Sequence, residues 1–486
     1  MKNRSPFEQA FIRYLPLLAC LCLLGACGGT ELPPSHSVRL THEYSLARGA
    51  EIDSFDKYLQ LEQQLFRQLD DEVYAATAPA QGNSVARYSS GSLADPRQRL
   101  PDWNRSFELE ADNARGGILL LHGMSDSPYS LRALGQGLNE NGYQVVGLRL
   151  PGHGTAPSGM TAVSWQDMSG AVDLAMKHLS GRLGDRPVHI IGYSTGAGLA
   201  LDHALRAEQD AQLTSPGSLV LVSPAIGISQ AAALAQWKRW LSLLPGLGNL
   251  AWLQVEPEFD PYKYNSFATN AAEQVHLLTH SVSQRIEHRR SQSGLLPPIL
   301  VLKSTVDATV STDAVVDRLL SKLSPGRHEL VLFDINRVAT STSLVIDDPA
   351  PFTQRLIDDG KLPFGVTLVT NSGIDTRAVS AFRKKPFESG ASSTEGLDAV
   401  WPMGVFSLSH VALPFPPDDP LYGSSPPEES GQLFLGSQAL QGERGLLKIS
   451  GDYLLRLRHN PFYDYLERRT LAWINRELRT PRTPAQ

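Results

Sequence analysis

The stretch that most constrains this chain runs from Pro187 to Leu201. A mostly apolar run through Ile191 meets Gly192-Tyr193-Ser194-Thr195-Gly196 and continues as Ala197-Gly198-Leu199-Ala200-Leu201. The run before the glycines reads as a buried strand and the run after them as a helix. Strand, tight turn and helix around a central Ser form the context of a nucleophile elbow. The turn is sharp, so a side chain at either glycine would collide with the neighbouring strand or helix. The elbow lifts the Ser hydroxyl above the sheet and sets it near a helix N-terminus. By itself the pentapeptide also reads as a glycine-rich strand–helix turn with an incidental Ser, so the rest of the chain must supply the partners.

Upstream, Gly117 to Leu121 reads as a strand that runs directly into His122-Gly123-Met124-Ser125-Asp126. Ser106 to Glu110 is a weaker strand candidate. Ser54 to Ala75 carries Phe55, Tyr58, Leu59, Leu61, Leu65, Phe66 and Leu69 near helical spacing, with Asp53 or Ser54 as N-cap. Tyr143 to Leu150 is the next strand and ends in Pro151-Gly152-His153-Gly154. Trp165 to Leu179 reads as a helix that leads to the Ser194 strand. Strand, helix, strand and helix at this spacing argue for a parallel sheet with crossover helices.

The run His122-Gly123-Met124-Ser125-Asp126-Ser127-Pro128-Tyr129, then Arg149 to Gly154, Trp165 and Gly192 to Gly196, resembles the α/β-hydrolase superfamily. It is most similar to the branch of monoacylglycerol-lipase-like and serine-aminopeptidase-like enzymes. The resemblance covers Asn104 to about Ala225 well and the later chain more loosely. It implies a mostly parallel central sheet flanked by helices, with a helical cap insertion; the chain departs from that pattern by a second insertion before the catalytic His. It also implies that Ser194 is the nucleophile and that the backbone N–H groups of Met124 and Thr195 form the oxyanion hole. His122 precedes Ser194 and is read as structural.

Leu219 to Val222 is a further strand, after which the chain leaves the sheet until Pro298. The insertion at about 226–297 resembles the superfamily's cap. It holds an amphipathic helix with Leu234, Trp237, Leu241 and Leu244 at helical spacing. Ile299 to Leu302 returns to the sheet, and Asp307, just past it, stands where the superfamily places the triad carboxylate. Asp334, after the strand-like Glu329 to Phe333, is the second choice. Three histidines follow Asp307. His328 precedes its strand and so sits at the wrong edge of a parallel sheet. His459 lies near the start of a terminal helix, Phe462 to Glu477. His410 follows a strand-like run and opens a loop, at the edge where open α/β sheets bind ligands. The order Ser194, Asp307, His410 is the hydrolase order. In a compact member the His follows the acid much sooner. Residues at about 335–400 therefore read as a second insertion, with Phe364 to Thr370 as an extra strand, which leaves the triad intact if it lies on the surface.

All three cysteines, Cys20, Cys22 and Cys27, lie in the first 27 residues. Lys2, Arg4 and Arg13 precede an apolar core, Leu15 to Ala26, that is too short for a bilayer span of about 20 residues. This reads as a secretory leader, and Leu24-Gly25-Ala26-Cys27 resembles the bacterial lipobox. The expected layout is a signal peptide at 1–26, a lipidated Cys27 with its tether at 27–50, and the hydrolase domain at 51–486. Gly rather than Asp at position 28 suggests an outer-membrane anchor facing the periplasm. A net charge of −6 with no basic block argues against nucleic acid as a partner.

The expected activity is hydrolysis of carboxylic esters, on a small acyl-ester or lipid substrate, by a serine triad through an acyl-enzyme. The mechanism requires neither metal nor cofactor. An aminopeptidase, thioesterase or acyltransferase would use the same triad. A non-catalytic envelope lipoprotein would keep only the fold. A peptidase would want carboxylates for the substrate ammonium; Glu256, Glu258 and Asp260 stand in the cap region, where a solvated acidic loop accounts for them more simply.

Overall fold

The structure is a computed structural model that describes residues 32–226, 251–289, 296–307, 310–340, 345–427, 432–436, 441, 446 and 456–478. Cys27 with its leader, and the Leu234 to Leu244 helix expected in the cap, lie outside the described residues.

A ten-stranded sheet organises the chain. Its first half consists of β1 (Phe107–Leu109), β2 (Gly117–Leu121), β3 (Gln144–Leu148), β4 (Val188–Tyr193) and β5 (Leu219–Val222). A small two-stranded pairing of β6 (Trp252–Gln254) and β7 (Phe267–Ala268) stands apart from it. The second half consists of β8 (Ile299–Ser304), β9 (Glu329–Phe333), β10 (Gly365–Gly373), β11 (Thr376–Lys384) and β12 (Ser393–Val400). The spatial order is β1-β3-β2-β4-β5-β8-β9-β10-β11-β12. Strands β3 through β10 in that order pair in parallel, whereas β1, β11 and β12 are joined antiparallel at the two edges.

Helices cover both faces. They are α1 (Phe55–Leu69), α2 (Tyr129–Glu140), α3 (Trp165–Leu183), α4 (Thr195–Ala207), α5 (Thr269–Glu287), α6 (Thr312–Arg318), α7 (Ala350–Asp358) and α8 (Tyr463–Leu478). The strands are apolar on both faces because both are covered. Leu119 and Leu121 face a core shared with α1, α3, α4 and α5. Ile118 and Leu120 face the other, shared with α2 and α8. Helix α3 begins at a full capping box, with Ser164 and Asp167 bonding each other's backbone N–H. Ser54 caps α1, accepting from the Lys57 N–H.

The described part of the cap region behaves as body. Leu278, Val282 and Ile286 of α5 recur every four residues and join the core of α3 and α4. Leu278 lies so close to α4 that a Cβ on Gly198 would sit 3.1 Å from its Cδ2.

The stretch at 335–400, expected as a second insertion, is built into the body of the fold. It adds α7 and then β10, β11 and β12 to the sheet itself. Strand β10 fills the position expected for Phe364 to Thr370 and pairs in parallel with β9. The physical reason is an apolar row that needs cover. Val369, Val379, Ala381, Leu397 and Trp401 continue the core under α8. Trp401 is fully buried and meets the Phe462 ring edge-on, at a centroid distance of 4.8 Å. Trp401→Ala is expected to cost about 3–5 kcal/mol, the range for deleting a buried large aromatic, measured by denaturant unfolding. A loss within about 0.5 kcal/mol, the size of an ordinary surface substitution, would mean that this edge is not part of the core.

Candidate active site

The Ser194 turn is built by steric exclusion. Ser194 has φ 54° and ψ −113°, a conformation that L-residues rarely adopt, and it is half-buried. Its N–H donates to the Val222 carbonyl at 2.9 Å, and its carbonyl accepts from the Ala225 N–H at 3.1 Å, so β5 clamps it from the side. A Cβ on Gly196 would lie 2.1 Å from the Leu121 carbonyl oxygen and 2.6 Å from that of His122. A Cβ on Gly192 would lie 2.5 Å from the Ala197 backbone. Only glycine fits at either position. Thr195 is the first residue of α4, so its N–H is one of the helix-end donors without an intrahelical acceptor.

The His122-Gly123-Met124 turn packs on the same Ser. A Cβ on Gly123 would lie 3.3 Å from the Ser194 Cβ. The His122 ring is used up inside the fold. Its Nε2 accepts the Leu150 N–H at 3.1 Å, which leaves the ring proton on Nδ1 to donate to the Gly123 carbonyl at 2.9 Å. Burial, with the neighbouring His153, drives its pKa well below that of ordinary imidazole. His122 thus shapes the turn and has no lone pair to offer a substrate. Past Met124, Ser125 has φ 62°, and its carbonyl accepts the Tyr264 N–H at 2.8 Å.

Strand β8 delivers Asp307, and the turn His410–Ala412 delivers His410. The structure brings the two together: His410 Nδ1 donates to Asp307 Oδ2 at 3.0 Å. The other carboxylate oxygen accepts the Val310 N–H at 3.0 Å. Burial by itself would push the Asp307 carboxyl up. The bond to His410 and its charge, together with the Lys303 ammonium, hold it well below the usual carboxylate range. Tyr193, the residue before Ser194, has its ring 5.3 Å from that of His410 and donates its hydroxyl to the His410 carbonyl at 3.4 Å. The segment before His410 is pinned from two strand ends. Asn336 Nδ2 donates to the Val405 carbonyl at 2.9 Å, and Ser304 Oγ donates to the Leu408 carbonyl at 3.0 Å.

The other candidates are placed elsewhere. Asp334 is held by Arg337 and by the Thr370 hydroxyl. His328 Nδ1 accepts the Ile299 N–H at the opposite end of the sheet, and burial lowers its pKa to about 4. Burial also lowers the pKa of His459. Glu258 and Asp260 are buried rather than part of a solvated loop. Glu258 accepts the N–H groups of Asn265 and Ser266. Asp260 accepts the Tyr422 hydroxyl and the N–H groups of Tyr262 and Lys263. Sequence reasoning missed Lys303, whose Nζ donates to Asp307 Oδ2 at 2.7 Å. A cavity of about 420 Å³ opens beside Val411 and Tyr264, with Lys263, Phe415, Tyr422 and Arg458 also in its wall. It therefore adjoins the His410 turn on one side and, through Tyr264, the Met124 turn on the other.

Residues 112–334 match the family model described as Serine aminopeptidase, S33. A thermostable monoacylglycerol lipase of Bacillus sp. (strain H-257) is 33% identical over 104 residues, which is 21% of this chain. The chain spans 41% of the length of that lipase. Among solved structures, a metagenome-derived lipolytic enzyme described with the pair LipS and LipT is 21% identical, with 48% of this chain and 88% of that one covered and a TM-score of 0.38. The monoacylglycerol lipase of Paleococcus ferrophilus is 19% identical, with 47% and 88% covered and a TM-score of 0.37.

One carboxyl in the turn carries a pH signature. Burial pushes Asp126 up to about 6, against the opposing pull of Lys263 and of the Ser127 N–H it accepts. The folded state therefore binds this proton more tightly than the unfolded chain, whose carboxyl titrates near about 4. Stability from this group is full below that unfolded value and is lost as pH rises through the folded one. Asp126→Asn keeps the acceptor oxygen and removes the ionisation. It is expected to raise the melting temperature at pH 7.5 by a few degrees and to leave it unchanged at pH 4, read by thermal unfolding at the two pH values. An equal effect at both would remove the titration as its cause.

Proposed function

The chain belongs to the α/β-hydrolase superfamily, in its monoacylglycerol-lipase-like branch, and on that premise we propose that it is a serine hydrolase of carboxylic esters. The observation that carries the reading is the Asp307–His410 hydrogen bond at the C-terminal edge of the sheet, beside the strained Ser194 turn. In this reading His410 takes the Ser194 proton as the hydroxyl attacks the acyl carbon. Asp307 orients the imidazole and balances the charge it acquires. The N–H groups of Met124 and Thr195 receive the oxyanion. The alkoxide leaves with the proton from His410. Water, again with His410 as base, then releases the acid from the acyl-enzyme.

Two observations favour an ester over the N-terminus of a peptide. Glu258 and Asp260, the buried acids available to hold a substrate ammonium, already take their own loop's N–H groups and the Tyr422 hydroxyl. The named relative, matched over part of its length, is a monoacylglycerol lipase, which supports a lipid ester as substrate. A panel of esters, thioesters and aminoacyl amides separates these readings, with turnover expected on the esters. Ser194→Ala is expected to lower turnover of a short-chain nitrophenyl ester on the order of 10⁶-fold and to abolish fluorophosphonate labelling. Wild-type turnover by that variant would end the assignment.

We further propose that the chain works from a lipid anchor at Cys27, in the outer membrane and facing the periplasm. Several acyl chains on one residue give the firm attachment that a single chain does not. Labelled fatty acid is expected to enter the full-length chain and to be lost from Cys27→Ser. Retention of label by that variant would refute the anchor.

A further inference from the structure

A lysine near the end of a strand ordinarily extends its ammonium to water. Lys303 does not: its side chain is 0% exposed. It follows Ile299 and Val301 at every second residue along β8, and those two face the core shared with α3 and α4. Its Nζ donates to Asp307 Oδ2 at 2.7 Å and to the Val310 carbonyl at 2.6 Å. An ammonium buried this deeply persists only with such partners.

The carboxylate oxygen it holds is the one that accepts His410 Nδ1–H. The ammonium and the imidazole are therefore no farther apart than those two bonds laid end to end. When His410 takes a proton, two cations share one carboxylate. Solvent and salt do not screen them there, because Asp307 and Lys303 are both closed to water. Facing the pair are Tyr193 at the end of β4, whose ring lies 5.3 Å from that of His410, and the Ser304 hydroxyl of β8, which bonds the Leu408 carbonyl. Asp334, at the end of β9, is paired with Arg337. Farther out, Lys263, Arg456 and Arg458 line the cavity beyond Val411, with Asp260 against Arg458.

Building on the serine-hydrolase reading above, we propose that Lys303 is a positioning residue of the triad. It fixes the Asp307 carboxylate toward His410 and sets a second positive charge beside the imidazolium that forms during turnover.

The test is the pH profile of kcat/KM on a nitrophenyl ester for the unaltered chain and for Lys303→Met, Lys303→Gln and Lys303→Arg. The acid limb is expected to move up by about one unit in Met and Gln, the size expected when a neighbouring charge is removed. It is expected to stay in place in Arg. Gln carries the test if Met does not fold, as judged by thermal unfolding. An acid limb unmoved in a folded, uncharged variant overturns the proposal, and so does one that moves equally in Arg. Failure of the underlying reading looks different: the unaltered chain would then show no Ser194-dependent turnover and no fluorophosphonate label at any pH.

Discussion

The contact on which the rest of the site depends is made between two stretches of backbone. The bare Cα of Gly196 lies against the carbonyl oxygens of Leu121 and His122, where no Cβ could stand. This approach fixes the end of β2 against the start of α4. With Gly192 facing the Ala197 backbone, it forces Ser194 into its positive φ. The bond from the Leu150 N–H to His122 then ties the end of β3 to the same point. Three strand ends are thereby locked together before any side chain of the proposed triad is considered. Arg149 braces the assembly from outside. It is buried between Glu43 and Glu62 and donates to the carbonyls of Leu150 and His153. The N-terminal segment and α1 are thus tied to the loop that follows β3.

Asp307 and His410, the proposed acid and base, are mounted on the other half of the sheet by a different means. Asp307 is fixed by the Val310 N–H, the Lys303 ammonium and the His410 ring. His410 arrives on a loop whose backbone carbonyls accept from Asn336, Ser304 and Tyr193, and whose Ser409 hydroxyl donates to the Leu457 carbonyl. Strand ends, not loops, supply most of those groups. His410, carried on a long connection, is in this way held by the rigid part of the molecule.

The half of the fold that follows steric rules could be read from the sequence. Gly192, Ser194 and Gly196 announce their turn because no other residues can make it. The apolar runs of β2, β4, β5 and β8 announce a sheet covered on both faces. Groups whose roles depend on tertiary partners could not be read. Lys303 looks like any lysine ending a strand, and nothing local says that Asp307 folds back onto it. Helix α5 has a faint signature, because its stripe of Leu278, Val282 and Ile286 is diluted by Gln, His, Ser and Arg. Strand β12, Ser393 to Val400, is polar and mostly exposed, as an edge strand can be, so its composition resembles a loop. Glu258 and Asp260 read as solvated charges, yet both are buried among their own loop's amides.

The span between Asp307 and His410 has a bearing on how the protein becomes active. Their bond joins residues 103 positions apart, and between them lie the hairpin of β10 and β11 and the edge strand β12. Closing so long a loop is inexpensive at equilibrium, since each doubling of its length costs only about 0.6 kcal/mol. It is a late event in time, because contacts of high sequence separation form slowly and a chain emerges from its N-terminus onward. The Ser194 turn can be complete while the residues that bring in His410 are still unpaired. On the proposed triad, a newly made chain holds Ser194 idle until the far edge of the sheet has closed, so acquired activity marks the end of folding rather than its beginning.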